Sequence, residues 1–421
     1  MRLALALLPL LATPALADAV TYRGTIGTRE AVFEFTEPSD GAVAGRFAFL
    51  DEGKSVPLNP VSNDGNGWTL SEEGLCTPDT CTFDDDGDAS DVPVIAQWQL
   101  TLDGTTLTGT RTGIDKSKQQ AIAAQELGRR PFEGEAIPGT LRDNFFDVYY
   151  EPTLDPTKAV YELALTDVPL VEQSRGRVGD AEIAMMVDPR TKFEFPHVID
   201  LPGNGDVDAA NAILDEKHAA LSLWALDCLS TAYIAFGGNQ WNLDQASLGY
   251  MDEENVEFSF GNSKLISWKE SGSTWCGGAH PDNHVVSFTY DLATGKPFDF
   301  SQVLRGWTAS SYSEPGPVDV AAARENPEEY DWQPDDALIA FIRERIPADL
   351  LGEEPELEET CFGEDAIRGY VDLRFAPGPS VVFTNSGFPH VIGVCDGDLV
   401  TVPLAELGDL LTPEAMSYFA D

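Results

Sequence analysis

The chain has few basic residues for its size. Its 421 residues include 26 Lys and Arg against 71 Asp and Glu, which gives a formal net charge of −45 at pH 7. A surface of this charge repels nucleic acid and anionic lipid, and it speeds the encounter with a cationic partner. We therefore expect no nucleic-acid partner. A solvated surface suited to salty surroundings is the alternative explanation of the same charge.

Long apolar runs are also missing, except at the beginning of the chain. An apolar run, Leu3–Leu11, follows a basic second residue, and the small-x-small triplet Ala15–Ala17 precedes Asp18. These are the three parts of a secretory signal, so residues 1–17 are predicted to be a signal peptide cleaved after Ala17. The run is too short for a transmembrane helix, which needs roughly 20 apolar residues. We expect a periplasmic or secreted protein without a membrane span.

Cysteine is scarce, with six residues in the whole chain. An even number of cysteines in an exported chain predicts disulfides, although six cysteines allow many connectivities. Their spacing along the chain favours the pairs Cys76–Cys81, Cys228–Cys276 and Cys361–Cys395. A zinc cluster is the alternative, but the paired CxxC spacing of such sites is absent.

Several catalytic motifs are absent as well. The sequence has no Gly-x-Ser-x-Gly elbow, no phosphate-binding Gly loop and no His-Glu-x-x-His metalloprotease motif, and it predicts no cofactor. Two carboxylates suffice for glycoside hydrolysis, but 71 acidic residues place such pairs by chance in any fold. The isolated histidines His197, His218 and His390 are expected to be structural, surface or loop residues.

Residues 18–135 show the pattern of an all-β domain. Apolar and polar residues alternate, as in EAVFEF with Phe33 and Phe35, and in AQWQLTL with Trp98 and Leu100. Period-two alternation interrupted by Gly and Asp turns is typical of half-buried antiparallel strands. The prediction is an antiparallel meander that closes into a barrel, or else a small sandwich.

Residues 136–421 are predicted to be α+β, with an antiparallel sheet and two main helices. They divide into a leading strand–helix part, residues 136–230, and a C-terminal domain, residues 231–421. One helix follows LPGNGD, with Asp206 or Asn204 as its cap, and the other begins near Pro334. Strands are predicted in NFFDVYYEP, AVYELALTDV, AEIAMMVD, TKFEFPHVID, NVEFSFGN, KLISWKES, NHVVSFTYDL, YVDLRFAP, SVVFTN and LVTVPLAEL.

The acidic run from Asp84 to Asp91 is a candidate calcium loop, because clustered carboxylates supply hard oxygen ligands. Its weak ligand candidates are Asp84, Asp86 and Asp88. The run departs from the calcium-loop pattern, which places Gly at the sixth position and Glu at the twelfth. A solvated acidic loop is the favoured interpretation.

The segment from Ser273 to His284 is the densest group of candidate site residues. A cysteine nucleophile would need Cys276 free and activated by His280 or His284. A metal site on a helix is disfavoured, because the glycine pair and Pro281 oppose that helix. A rigid disulfide-bonded loop is the simplest interpretation, and it could form part of a recognition surface. The candidate binding residues are Trp275, Gly277, Gly278, His280, Asp282 and His284.

The segment Cys276–Leu304 resembles a domain of unknown function shared by RsiV-type anti-sigma factors and some peptidoglycan deacetylases. The similarity rests on the Gly-Gly-Ala-His-Pro motif at Gly277–Pro281 and on Asp291–Lys296, and the closing segments VVFTNSGFPHVIG and VPLAELGDLL follow in the same order. It extends over about the last two-thirds of the chain. The resemblance implies an envelope-facing α+β module, often coupled to cell-wall sensing, with some relatives that recognise lysozyme. It does not imply catalysis, because the deacetylases carry their chemistry in a separate domain.

Three hypotheses on function follow. The first is a non-catalytic envelope protein that binds a cell-wall-related or basic protein, such as a lysozyme-like enzyme. The second is a hydrolase that acts on cell-wall glycan or peptide with a site near Trp275–His284. The third is a structural, salt-adapted secreted protein. The sequence leaves the ligand and the oligomeric state open.

Overall fold

The computed structural model describes residues 17–36, 43–63, 67–76, 80–83, 89, 92–115, 118–132, 155, 157–236, 253–275, 281–311, 318–325, 329–351 and 355–419. The chain divides into two compact units. The first comprises Met1–Val168 and Leu223–Ser247, and the second comprises Pro169–Ser222 and Leu248–Asp421. Both units are discontinuous, because the long helix Val207–Ser230 contributes residues to each of them.

The first unit is built on a closed antiparallel barrel. Each of its strands β1–β8 pairs with the next strand, and β8 returns to pair with β1. The strands are Ala17–Ile26, Arg29–Thr36, Gly45–Phe49, Val56–Asn63, Trp68–Glu73, Val94–Asp103, Thr106–Gly113 and Gln119–Phe132. The predicted barrel-like meander is therefore confirmed. Closure leaves no open sheet edge to pair with another chain.

Aromatic side chains fill the barrel interior, because every second residue of a strand points inward. Phe33, Phe47 and Trp98 are almost fully buried, and the Phe47 and Trp98 ring centroids are 4.7 Å apart. Where β1 and β8 meet, a Cβ atom on Gly24 would lie only 2.0 Å from the carbonyl oxygen of Ala123. The strands can approach this closely because Gly24 has no side chain.

One predicted strand of the first unit is wrong. The segment AVYELALTDV, predicted as β, forms the helix Val160–Thr166, which we call the covering helix. Its buried residues Tyr161, Ala164 and Leu165 recur at helical spacing and pack against the outer face of the barrel around Val32. The β-branched and aromatic residues of the segment favoured the strand interpretation.

Among the residues that the structure describes, the second unit contains four antiparallel sheets. Its strands β9 to β20 are Val171–Val178, Ala181–Val187, Glu194–Asp200, Glu253–Gly261, Leu265–Thr274, Asp282–Asp291, Lys296–Pro297, Trp307–Ser311, Tyr330–Pro334, Val371–Ala376, Ser380–Asn385 and Gly397–Pro403. In spatial order, the sheets are β11-β10-β9, β12-β13-β14-β15, β16-β17 and β18-β19-β20. The predicted strands from AEIAMMVD to SVVFTN are confirmed, whereas LVTVPLAEL is a strand only as far as Pro403, because Leu404–Leu407 forms a helix. NFFDVYYEP lies outside the described residues.

The central sheet, β12–β15, is covered on both faces. On one face, Phe258, Ile266 and Trp268 share a core with Ala210 and Leu214 of the long helix. On the other face, the Ser259 hydroxyl donates to the Phe375 carbonyl of β18 at 2.8 Å. A sheet covered on both faces holds its side chains in fixed positions. The candidate site lies at one end of this sheet.

The predicted helices are present with corrections. The long helix begins as predicted, since the Asp206 carboxylate accepts from the Ala209 amide at 3.0 Å. The other predicted helix is Asp336–Arg343, capped by Asp335 rather than begun at Pro334, which ends β17. "Two main helices" is an underestimate, because this unit also has the short helices Val320–Glu325, Pro355–Phe362, Glu364–Tyr370 and Leu404–Leu407.

Two of the three predicted disulfides are present. Cys76 bonds to Cys81, and Cys361 bonds to Cys395. Cys228 is also disulfide-bonded, while its predicted partner Cys276 lies outside the described residues. Among the residues that the structure describes, no helix is both long and apolar enough to span a membrane.

Candidate functional site

The central sheet changes from apolar to charged along one face. Strand register places Phe258, Trp268 and Phe288 side by side, and the Trp268 and Phe288 rings stack with centroids 5.0 Å apart. Two residues further along each strand, on the same face, lie Val256, Glu270 and Val286. The next row holds Glu254, Gly272 and His284. This face therefore ends in two carboxylates and one histidine, which we call the Glu-Glu-His cluster.

Two direct contacts organise the Glu-Glu-His cluster. His284 Nε2 lies 3.0 Å from Glu254 Oε2, and the Trp268 indole donates to Glu270 Oε1 at 2.7 Å. Gly272, between Glu254 and His284 in register, has no side chain, so these two can meet across the central strand. The Glu254 side chain is 1% exposed and that of His284 is 22% exposed. The histidine is thus the solvent-facing member of the pair.

Burial and proximity change the acid–base properties of the cluster. Burial, assisted by the nearby Glu254 carboxylate and opposed by the Trp268 hydrogen bond, raises the pKa of Glu270 to about 7. The pKa of His284 is raised, chiefly by its hydrogen bond to Glu254, although burial opposes this. A small change of pH near neutrality therefore alters the charge of the cluster.

The Glu254 carboxylate is poorly satisfied by the protein. Its two oxygens are buried, and Oε1 has neither a hydrogen bond nor an ion-pair contact from the described residues, whereas Oε2 has the ion-pair contact with His284. An unpaired buried carboxylate oxygen is unfavourable, because desolvation of a charged acceptor is not offset by a donor. The site thus favours a hydrogen-bond donor close to Glu254.

A short 3-10 helix, His390–Cys395, lies beside the end of β14. The Asn283 amide and the His390 ring are in contact, with Asn283 Nδ2 3.2 Å from His390 Nδ1. The Cys361–Cys395 disulfide fixes the end of this helix. Its Val391 and Val394 side chains are 86% and 76% exposed, in contrast to the buried Cys395.

The structure brings only some of the predicted site residues together. Trp275 follows β13, and Asp282 and His284 lie on β14. His284 thus lies in the predicted strand NHVVSFTYDL, whereas Asp282 belongs to this strand rather than to the predicted loop. Gly277, Gly278 and His280 lie outside the described residues, as do the calcium candidates Asp84, Asp86 and Asp88. In the described ranges, no group of three or more His, Cys, Asp or Glu side chains could hold a metal ion.

The isolated histidines have separate surroundings. His218 is buried on the long helix, where its ring stacks on Phe195 with centroids 5.4 Å apart. His197 lies on β11 with Nδ1 3.3 Å from the Asp215 carboxylate. Neither contact belongs to the Glu-Glu-His cluster.

Sequence reasoning missed Glu254 and Glu270. A signal for both was present, because each continues an alternating series of buried residues: Glu254 precedes Val256 and Phe258, and Glu270 follows Ile266 and Trp268. A carboxylate at a position where the pattern calls for an apolar residue indicates either a strand end or a site. Only the pairing of β12 with β13 and β14 shows that the two carboxylates meet a histidine there.

Comparison with known proteins gives no relative for this chain. No protein-family model matches it, and a search of curated proteins finds no match either. The similarity to the RsiV-like domain therefore rests on the motif residues alone and stays a prediction.

Proposed function

We propose that this chain is an exported, non-catalytic binding protein of the cell envelope, and that it captures a basic, cell-wall-related protein such as a lysozyme-like enzyme. One observation carries the proposal: the fold pairs five buried or part-buried arginines with its own carboxylates, so these arginines do not offset the charge of the remaining acidic residues. The arginines are Arg46, Arg111, Arg130, Arg190 and Arg374, and their carboxylate partners are Glu34, Glu162, Glu72, Asp188 and Asp398, which are buried except for Asp398.

These ion pairs contain five arginines and five carboxylates, so in the formal count they contribute no net charge. The net charge of −45 therefore belongs to the rest of the chain. A strongly charged surface attracts an oppositely charged protein over roughly 10 Å at moderate salt and raises the association rate. The same charge opposes self-association of the chain.

The expected compartment agrees with this role. Disulfides form and persist in oxidising compartments, and the pairs Cys76–Cys81 and Cys361–Cys395 fit such a location. Basic wall-degrading enzymes act in the same space, and the resemblance to the RsiV-like domain includes relatives that recognise lysozyme. Export and partner are both part of the proposal.

Isothermal titration of a basic lysozyme into the mature protein tests this function. The expected result is binding at low ionic strength that weakens as salt is added, because screening reduces the attraction between the two surfaces. Lysozyme with acetylated lysines is the matched control, since acetylation removes positive charge and keeps the rest of the protein. Absence of heat at low ionic strength, or equal binding of both forms, contradicts the proposal.

A hydrolase acting on cell-wall glycan or peptide is the second candidate, and one observation favours it. Glu270, whose pKa is about 7, lies near a second buried carboxylate, Glu254. Glycosidases pair a carboxylic acid of raised pKa with another carboxylate. The 1% exposure of the Glu254 side chain opposes this role, because a substrate must reach both groups. Release of reducing ends from peptidoglycan that is lost in E270Q would favour the hydrolase.

A further inference from the structure

Two apolar side chains of the second unit are strongly exposed. Val391 and Val394 lie on the same 3-10 helix and are 86% and 76% exposed; we call these two side chains the valine pair. Single exposed apolar residues are common on protein surfaces. Two on one short helix are less common, and exposed apolar patches often mark protein contacts.

The valine pair is held by a rigid support. Cys395 is bonded to Cys361, and the neighbouring Phe388 ring stacks on Tyr370 with centroids 3.9 Å apart. The Phe388 amide also donates to the Asp396 carboxylate at 3.2 Å. A fixed apolar side chain loses little conformational freedom on binding, so it is suited to anchor a partner.

An acidic side chain lies near the 3-10 helix. Asp282 is next in sequence to Asn283, whose side chain contacts His390, and its own side chain is 77% exposed. Asp396, which follows the 3-10 helix, supports the loop instead, because its Oδ1 accepts from the Phe388 amide and its Oδ2 is buried. An apolar centre with a charged rim is the usual layout of a protein interface.

We propose that the valine pair, with Asp282 at its rim, is the surface through which this protein docks its basic protein partner. The inference rests on the proposed function and deepens it by naming the contact surface. Charge complementarity selects the occupant: the Asp282 side chain is exposed near the patch, and the whole chain carries −45, so a basic protein with an apolar spot fits it better than a second copy does.

The test compares V391S/V394S with the matched control V61S/V171S in titrations with basic lysozyme at low ionic strength. Val61 and Val171 are also exposed, but they lie on the strands β4 and β9 and not on the 3-10 helix. We expect V391S/V394S to weaken binding by about tenfold or more, since loss of buried apolar contact reduces affinity directly. The control should bind like the wild type.

The outcomes separate this inference from the proposed function. Wild-type binding that V391S/V394S leaves unchanged overturns the docking surface and leaves the function standing. Absence of wild-type binding overturns both. Analytical ultracentrifugation tests the remaining alternative, a contact between two copies of the chain. A wild type that is a dimer and a V391S/V394S variant that is a monomer would assign the valine pair to a second copy, and this result also overturns the inference. D282N should reduce the salt dependence of binding, because it removes one rim charge.

Discussion

His284 and Glu254 form an ion pair across the central strand of a three-stranded segment, with His284 Nε2 3.0 Å from Glu254 Oε2. The glutamate is buried and the histidine faces solvent, so the histidine controls the charge balance of a carboxylate that water does not reach. Glu270 lies in the neighbouring row of the same face. The acid–base behaviour of this face can therefore be tested one residue at a time.

Replacement of Glu270 by Gln should change the pH dependence of stability. The folded-state pKa of about 7 lies above the ordinary value of 4.5, so this group's stabilising contribution is full below pH 4.5 and is lost as pH rises through 7. E270Q should match the wild type near pH 4.5 and exceed its free energy of unfolding by about 3 kcal/mol at pH 8. Urea unfolding at both pH values measures this difference.

The matched control is E257Q, an exposed glutamate on β12. Its free energy of unfolding should stay within about 0.5 kcal/mol of the wild type at both pH values. An E270Q curve parallel to that of the wild type would show that Glu270 does not hold its proton more tightly in the folded state.

Replacement of His284 by Gln should act in the complementary range. The pKa of His284 is raised by Glu254, so its contribution is full below the ordinary value of 6.5 and disappears as pH rises through the folded-state pKa. H284Q should lower the free energy of unfolding by roughly 2 kcal/mol at pH 5.5, with a smaller loss at high pH. H197Q, at the exposed pair with Asp215, should cost much less. Equal losses in the two variants would refute a special role for His284.

The first unit contains a buried group of ion pairs around one arginine, and its disruption should strongly lower the free energy of unfolding. Arg46 contacts Glu34 at 2.7 Å and Glu162 at 2.5 Å, and all three side chains are fully buried. Burial opposes ionisation of Glu34, but the charges of Arg46 and Arg130 outweigh it and lower its pKa. R46M should cost about 3–5 kcal/mol, because it leaves carboxylates without their partner.

The control for R46M is R29M, which removes an exposed arginine paired with Asp51 and Glu52. Surface ion pairs contribute at most about 1 kcal/mol, so R29M should be nearly neutral. Urea unfolding followed by the fluorescence of the buried Trp98 compares the two variants. Similar losses for R46M and R29M would contradict the view that the covering helix is fixed by this buried pair.

Thiol chemistry tests the disulfide assignment and the nucleophile hypothesis together. Cys76, Cys81, Cys228, Cys361 and Cys395 are all bonded. We expect native protein to show no titratable thiol, and C361S/C395S to lose about 3–4 kcal/mol of stability, as the chain-entropy model gives for a separation of 34 residues. A reactive thiol in the native protein would revive Cys276 as a nucleophile.

Local patterns in the sequence predicted much of the β structure. Alternation in β2 placed Phe33 and Phe35 correctly, and the Thr294-Gly295 dipeptide after β14 forms a turn in which Asp291 Oδ1 accepts from the amides of Ala293 and Thr294. These features depend on residues that are close together in the chain, so the local sequence pattern is sufficient to predict them.

Features that depend on distant residues could not be predicted in this way. The covering helix buries Glu162 because Arg46, 116 residues earlier in the chain, is its partner. The Glu-Glu-His cluster depends on the register of β12, β13 and β14, and alternation within one strand does not specify that register. The candidate site was therefore located only in part, through Trp275, Asp282 and His284.

The central claim is that the acidic surface captures a basic protein, and the association rate tests it most directly. Stopped-flow mixing with a basic lysozyme over a series of ionic strengths measures this rate. Electrostatic capture predicts rapid association at low salt and a steep fall as salt increases. A rate that does not change with salt, or an absence of association at the lowest ionic strength, would contradict the account.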